Sequence, residues 1–215
     1  MEKPSEENTK NEPWDWKEYY ELIGEKGYTK NLEEAVNYCE KKDFALDIGA
    51  GNLRDTKFLL SNGFEVTPVD ISPESERLAK DLNDPNLTMF AGRIGEFDFP
   101  EEHFSLVNAQ GILFHIHKDR FDIVFDKIKK SLKAGGVLCA DFIGEHDDWN
   151  YKDGIKYILT KEDLDKLKQD FEIKSLHDYE ADESEETRLM KAVYKNKPDY
   201  NAKHWHHIDI IAIKK

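Results

Sequence analysis

Cysteine is scarce in this sequence of 215 residues, with Cys39 and Cys139 as its only two. Each lies in an apolar stretch, and neither belongs to a C-x-x-C pair or to a cysteine–histidine spacing typical of zinc ligands. We therefore expect two buried thiols rather than a cysteine-based metal site.

The sequence also lacks long apolar runs and an excess of positive charge. No run approaches the roughly 20 residues that span a bilayer, and the first twenty residues resemble neither a secretion signal nor a transit peptide. Lysine and arginine number 31 against 45 aspartates and glutamates, and the net charge of -14 repels nucleic-acid phosphates and anionic lipids. We expect a globular cytoplasmic protein that binds neither nucleic acid nor membranes.

Short apolar segments alternate with helical patterns through the middle of the chain. After a charged tail (1–13), two helices are expected within 14–43, the second capped by Asn31. The expected strands are 44–48, 64–69, 87–91, 104–109 and 137–143, with helices at 54–62, at 72–82 and from Phe121 to Gly135-Gly136. Parallel strands joined by helical crossovers predict a three-layer α/β sandwich.

The last third of the chain has a different pattern. A helix opened by Thr160 and Asp163 precedes two apolar strands, 171–177 and 206–213, with no clear helix between them. These two strands are therefore predicted to be antiparallel, and the acidic run 178–186 to be a solvated loop. We expect one domain over 14–215, with a core at 44–143 and a C-terminal part at 144–215.

A glycine-rich turn follows the first strand, in the sequence Asp47-Ile48-Gly49-Ala50-Gly51-Asn52. Asp70 ends the second strand, so the two features should meet at the carboxyl edge of the sheet, where ligands bind in such folds. Glycines let a backbone approach a ligand closely, and a carboxylate there can accept hydrogen bonds from both ribose hydroxyls. The pattern predicts an adenosine-containing cofactor without a 2′-phosphate.

Two families use this geometry. The dinucleotide dehydrogenases require G-x-G-x-x-G/A, which would place glycine or alanine where Arg54 stands. The chain resembles more closely the class I S-adenosylmethionine-dependent methyltransferases, in particular the small bacterial tellurite- and thiopurine-type enzymes. Asp47, Gly49 and Gly51 match their first motif, although Leu53 replaces its last glycine, and 70–74, 104–116 and 132–142 resemble later segments.

This resemblance implies a Rossmann-like, mostly parallel seven-stranded sheet with an antiparallel last strand, and a methyl donor, S-adenosylmethionine, that leaves as S-adenosylhomocysteine. Ile71 and Ile94 would clamp the adenine, although Arg93 stands where the family usually has an aspartate. A leucine at a position of positive φ would be costly, so the turn is expected to differ at Leu53 or to need the glycine only for packing. The residues implied in cofactor binding are Asp47, Gly49, Ala50, Gly51, Asn52, Asp70, Ile71, Ser72, Ile94, Asn108, Ala109, Gln110 and Leu113.

The acceptor is expected to be a small molecule, because the chain has little length beyond the core. Methyl transfer from a sulfonium is an in-line displacement, and only a hydroxyl or protonated amine needs a base. His115 is the candidate base, with packing or helix capping as the alternative; Tyr19, Tyr20, His117 and Trp205 are candidate substrate contacts. The tyrosines, with Trp14 and Trp16, form either a lid over the cofactor or a hydrophobic staple.

His204 and His206 share one face of the last predicted strand, but no third ligand at a convincing spacing accompanies them, so no metal site is predicted. Two other readings of the whole chain stay open. One is an NAD-type oxidoreductase; the other is a degenerate methyltransferase that binds an adenosine ligand without catalysis, which the residues Leu53 and Arg93 would suit.

Overall fold

A computed structural model describes residue 20 and residues 27–148, 157–182 and 204–215. The expected tail, Trp14, Trp16 and Tyr19 lie outside the described residues. The described helices are α1 (Lys30–Tyr38), α2 (Arg54–Ser61), α3 (Pro73–Leu82), α4 (Lys118–Ser131) and α5 (Lys161–Asp170). The strands are β1 (Phe44–Ile48), β2 (Glu65–Asp70), β3 (Phe90–Ala91), β4 (Phe104–Ala109), β5 (Leu132–Ile143), β6 (Phe171–Ala181) and β7 (Trp205–Lys214).

The strands form one seven-stranded sheet in the order β3-β2-β1-β4-β5-β7-β6. The first five strands pair in parallel, whereas β7 is antiparallel to both β5 and β6. This confirms the predicted fold class and the antiparallel C-terminal pair. Pro68, which lacks a donor for a sheet hydrogen bond, nevertheless lies within β2 opposite Asp47.

Helices cover both faces of the sheet, as a three-layer sandwich requires. On one face, α1 and α2 bury apolar side chains against the sheet, among them Leu32, Val36 and Leu59. On the other, α4 and α5 contribute Phe121, Ile128 and Leu167. The amphipathic pattern of each helix is thereby satisfied, and the edge where β1, β2 and β4 end carries the loops. Among the described helices, none is long and apolar enough to cross a membrane.

The strand predicted at 87–91 is shorter, because only Phe90–Ala91 pair with β2 as a strand. Three further predicted boundaries were wrong for an identifiable reason. Helix α4 ends at Ser131, and Gly135-Gly136 belongs to β5, because buried Leu132 pairs with Phe104 and the pairing then shifts by a bulge. Helix α1 begins after Thr29 rather than Asn31, since the Thr29 backbone N–H and hydroxyl both donate to Asp55.

The third concerns the acidic run. Its first residues, 178–181, lie in β6 rather than in a loop, because they pair with β7 from Trp205 to Ile208. The sheet pairing outweighs the low strand propensity of these acidic residues.

Candidate active site

The glycine turn after β1 depends on two backbone conformations that favour glycine. Gly49 and Gly51 have φ of +73° and +53°. A Cβ on Gly49 would also lie 2.8 Å from the Cβ of Ile112, so the chain after β4 packs directly against the turn. The Gly49 N–H donates to the Val69 carbonyl at 2.8 Å, which ties the turn to the end of β2. Sequence reasoning missed Ile112, because nothing local to it indicates that contact.

Asp70 lies beside this turn. Its Oδ2 accepts from the Gly51 backbone N–H at 2.9 Å, and its Oδ1 accepts from the Ser72 N–H at 2.7 Å. The carboxylate is 9% exposed, at the floor of the crevice between β1 and β2. Each oxygen keeps a further lone pair, so two more donors can be accepted. The expected meeting of carboxylate and glycine turn is therefore present in the fold.

Ser72 and α3 extend the same crevice. The Ser72 hydroxyl caps α3 by accepting from the Glu74 N–H at 3.3 Å, as the Ser-Pro pattern predicts, and Pro73 takes the first helical position. Ser75, one turn further on, donates to the Gly51 carbonyl at 2.6 Å. Helix α3 thus fixes the far side of the glycine turn.

Leu53 corrects the expectation about the third motif glycine. The residue has φ of +62°, the left-handed conformation that glycine would adopt easily, and immediately precedes α2. Its side chain is fully buried and packs with Ala50 and Ala79. The turn therefore follows the glycine-type path, and apolar burial offsets the backbone strain of about 1–2 kcal/mol.

A buried carboxylate pair lies beneath the turn. Asp47, only 2% exposed, accepts from the Thr56 hydroxyl at 2.5 Å and from the Asn108 amide at 2.8 Å. The same amide lies 3.3 Å from Asp55, which is also buried. Burial, and then the neighbouring charge of Asp55, raise the pKa of Asp47 to about 7. Asp47 thus anchors the base of the turn instead of lining the open crevice.

The raised pKa of Asp47 should make the free energy of unfolding depend on pH. The folded state holds a proton on Asp47 between about pH 4 and 7 that the unfolded chain has lost, so its stabilising contribution falls as the pH rises through that window. Asp47→Asn cannot ionise, so we expect its free energy of unfolding, relative to wild type, to increase from pH 5 to pH 8. Denaturant unfolding at several pH values measures this difference.

Exposed Glu65, at the other end of β2, supplies the control. Glu65→Gln should leave the pH profile of wild type unchanged. Parallel profiles for Asp47→Asn and wild type would contradict the raised pKa, whatever constant offset the lost hydrogen bond produces.

Tyr20 covers the turn. Its ring would lie 3.2 Å from a Cβ on Gly51, and its hydroxyl is hydrogen-bonded with Ser75 and Ser72. Burial, followed by the charge of Asp70, raises the pKa of the tyrosine. The structure therefore places Tyr20 over the glycine turn, which is the position that a lid requires. The role of Tyr20 as a substrate contact stays a prediction.

The remaining candidate residues occupy the same sheet edge in different settings. Ile71 is 53% exposed beside Asp70, and Ile94 begins a 3₁₀ turn (Ile94–Glu96) after β3. Leu113 is fully buried in the core just after β4. Asn108 and Ala109 end β4, Gln110 follows them, and Ala50 and Asn52 complete the turn.

The candidate catalytic and acceptor residues are more dispersed. His115 is exposed at the end of a 3₁₀ turn (Leu113–His115) just after β4. His117, a candidate substrate contact, caps α4, with its Nδ1 accepting from the Asp119 N–H at 3.3 Å; the capping alternative had been considered for His115. Trp205 begins β7 and is 8% exposed, with its ring 5.2 Å from that of His207.

The fold and the sequence match together define a class. Residues 45–136, which span β1 to the bulge of β5, match the family model described as a methyltransferase domain. The seven-stranded sheet around this match has the Rossmann-like fold of S-adenosylmethionine-dependent methyltransferases. The sheet agrees, because an antiparallel β7 between β5 and β6 is absent from the all-parallel dinucleotide-binding sheet of the oxidoreductase alternative.

Solved structures with the same fold are distant in sequence. The chain is similar to 1,6-didemethyltoxoflavin-N1-methyltransferase of Burkholderia thailandensis with bound 1,6-didemethyltoxoflavin and S-adenosylhomocysteine, with a TM-score of 0.60, 20% identity and coverage of 93% of this chain and 84% of the other. TehB of Haemophilus influenzae has a TM-score of 0.70 and 14% identity, with coverage of 92% of this chain and 66% of the other. The [4+2]-cyclase SpnF has a TM-score of 0.62 and 15% identity, with coverage of 92% of this chain and 94% of the other. No curated protein sequence matches the chain.

Proposed function

We propose that the protein transfers a methyl group from S-adenosylmethionine to a small-molecule acceptor. The observation that carries this proposal is the contact between Asp70 and Gly51, which sets a carboxylate with spare acceptor capacity against a glycine-rich turn. The residues fit the cofactor. Asp70 would accept hydrogen bonds from the ribose hydroxyls, and exposed Ile71 would offer an apolar surface to the adenine.

S-adenosylmethionine supplies a methyl group on a positively charged sulfur, so the bond from carbon to sulfur breaks as the bond to the acceptor forms and the sulfur becomes a neutral thioether. The protein's contribution is to hold the two reactants in line, which can supply about 7–11 kcal/mol of the barrier. The tied turn and Asp70 would hold one reactant. An acceptor that carries a proton must also lose it, and His115, exposed just after β4, is our candidate base.

Two observations favour a small acceptor. Among the described residues every strand belongs to one sheet and none forms an added recognition domain, and the net charge of -14 disfavours nucleic acid. The Burkholderia structure holds a small heterocyclic substrate within the same fold. We propose an acceptor of similar size for this protein, but not that particular substrate.

The test is a panel of small acceptors that includes thiols, amines, hydroxyls and oxyanions such as tellurite. We expect S-adenosylhomocysteine to form faster with at least one acceptor than without any. His115→Ala should slow transfer to hydroxyls and protonated amines more than to thiolates, because only the former need a base. His117→Ala, at the neighbouring helix cap, is the control and should affect both classes alike.

The outcomes separate two functions. Binding of S-adenosylhomocysteine without turnover on any acceptor would overturn the proposal in favour of a non-catalytic adenosine-ligand protein, which the arginine at position 93 would suit. An equal loss of rate for all acceptors in His115→Ala would remove its role as base but leave methyl transfer intact.

A further inference from the structure

Histidines and carboxylates from three distant segments converge beyond the end of β5. One ligand atom from each of His146, Glu180 and His206 lies within 4.8 Å of those of the other two. His146 Nδ1 is 2.8 Å from Glu180 Oε1, and the rings of His146 and His206 stack at 5.0 Å. The two ligands that the sequence near His206 does not supply thus come from β6 and from the loop after β5.

Strand register explains why these side chains share one face. Glu180 of β6 lies directly opposite His206 of β7, and the Gly144 N–H donates to the His206 carbonyl at 2.8 Å, which carries the β5 pairing one residue further. His146 follows Gly144 by two residues, in the turn after β5, where its backbone N–H reaches the His206 ring. Residues 177 and 179 point to the opposite side.

The His206 ring occupies the space that Gly144 leaves because it has no side chain. A Cβ on Gly144 would collide with the ring, so glycine is required for the ring to lie where it does. The ring is also held through its other contacts: Nδ1 accepts from the His146 N–H at 3.1 Å, and Nε2 lies 2.8 Å from Asp178 Oδ1, so an ion bound to His206 would have to replace one of these two contacts. His206 is 7% exposed, whereas His146 and Glu180 are open to solvent.

We infer that His146, Glu180 and His206 form a binding site for a divalent transition-metal ion of the zinc class. Two imidazoles and one carboxylate are a donor set that such ions favour, and three protein ligands leave a coordination position for water or an exogenous ligand. Around them, His204 lies 2.9 Å from Glu180 Oε2, and Asp178 lies beside His206, which are the outer partners that orient metal ligands.

The alternative is an ion-pair network in which protonated histidines neutralise the carboxylates. Close contacts of His204 with Asp182 and Glu180, each 2.9 Å, would belong to that network. A metal ion would replace those protons, so the two states compete, and a metal titration at neutral and acidic pH separates them.

The test uses the full chain with Zn²⁺ by calorimetry and with Co²⁺ by visible absorption. We expect one ion per chain, with weaker binding at acidic pH. Glu180→Gln and His146→Ala, both at exposed positions, should each weaken binding by more than the roughly 10–100-fold typical of outer partners, and His204→Ala by an amount within that range. His177→Ala is the matched control, because His177 lies on β6 but on the opposite face, and it should bind as wild type.

Binding that survives both ligand substitutions, or that falls equally in His177→Ala, would overturn the site, as would the absence of stoichiometric binding. Unchanged circular dichroism and S-adenosylhomocysteine affinity in Glu180→Gln and His146→Ala would show that the variants are folded. His146→Ala lies in an exposed loop, so it remains informative should Glu180→Gln disturb the edge strand.

Discussion

Replacing Asp70 by alanine should weaken binding of S-adenosylhomocysteine by at least about 100-fold. Under the proposed function the substitution would remove two charge-assisted hydrogen bonds to the ribose, each contributing about 1.5–3 kcal/mol. It also leaves the Gly51 and Ser72 N–H groups without their acceptor, so the turn loses its tie to β2. Isothermal titration calorimetry of the variant and of wild type measures the effect directly.

Two further variants make this result specific. Asp70→Asn keeps an acceptor oxygen but no charge, so its loss of affinity should lie between those of wild type and Asp70→Ala. Glu65→Ala removes a carboxylate from the exposed start of the same strand and should bind as wild type. If Asp70→Ala bound the ligand as tightly as wild type, the assignment of the cofactor to this crevice would be wrong.

Replacing Gly49 by alanine should destabilise the fold far more than the same change at Gly111. Both residues have φ of +73°, so both variants carry a left-handed strain of about 1–2 kcal/mol. A Cβ at Gly111 meets nothing within 4 Å, whereas one at Gly49 lies 2.8 Å from Ile112. The collision should add about 1–3 kcal/mol, measured as the difference in free energy of unfolding between the two variants.

The matched φ values make Gly111→Ala the control, since any difference between the variants reports crowding rather than strain. Equal destabilisation would show that Ile112 moves away freely and that the close packing of the loop after β4 does not shape the turn. Cofactor binding should be lost more in Gly49→Ala, because the backbone that approaches the ligand is displaced.

Local patterns predicted much of this molecule. The bounds of β1 and β4 match the predicted strands, and the Ser72-Pro73 cap and the Thr160/Asp163 capping box open α3 and α5. Each of these features depends on residues within one turn or one strand, where periodicity and capping act. By contrast, the end of α4 was placed too late, because the pairing of Leu132 with Phe104 overrides a glycine stop signal.

The tertiary structure alone decided the features with the strongest chemical consequences. The sequence by itself determined that a glycine turn and Asp70 would meet at the carboxyl edge of a parallel sheet, because parallel strands end on the same side. It could not determine that Leu53 would take a glycine conformation, that Asp47 and Asp55 would share one amide, or that His146, Glu180 and His206 would converge. Those outcomes depend on strand order and on packing between residues far apart in the chain, which no local pattern encodes.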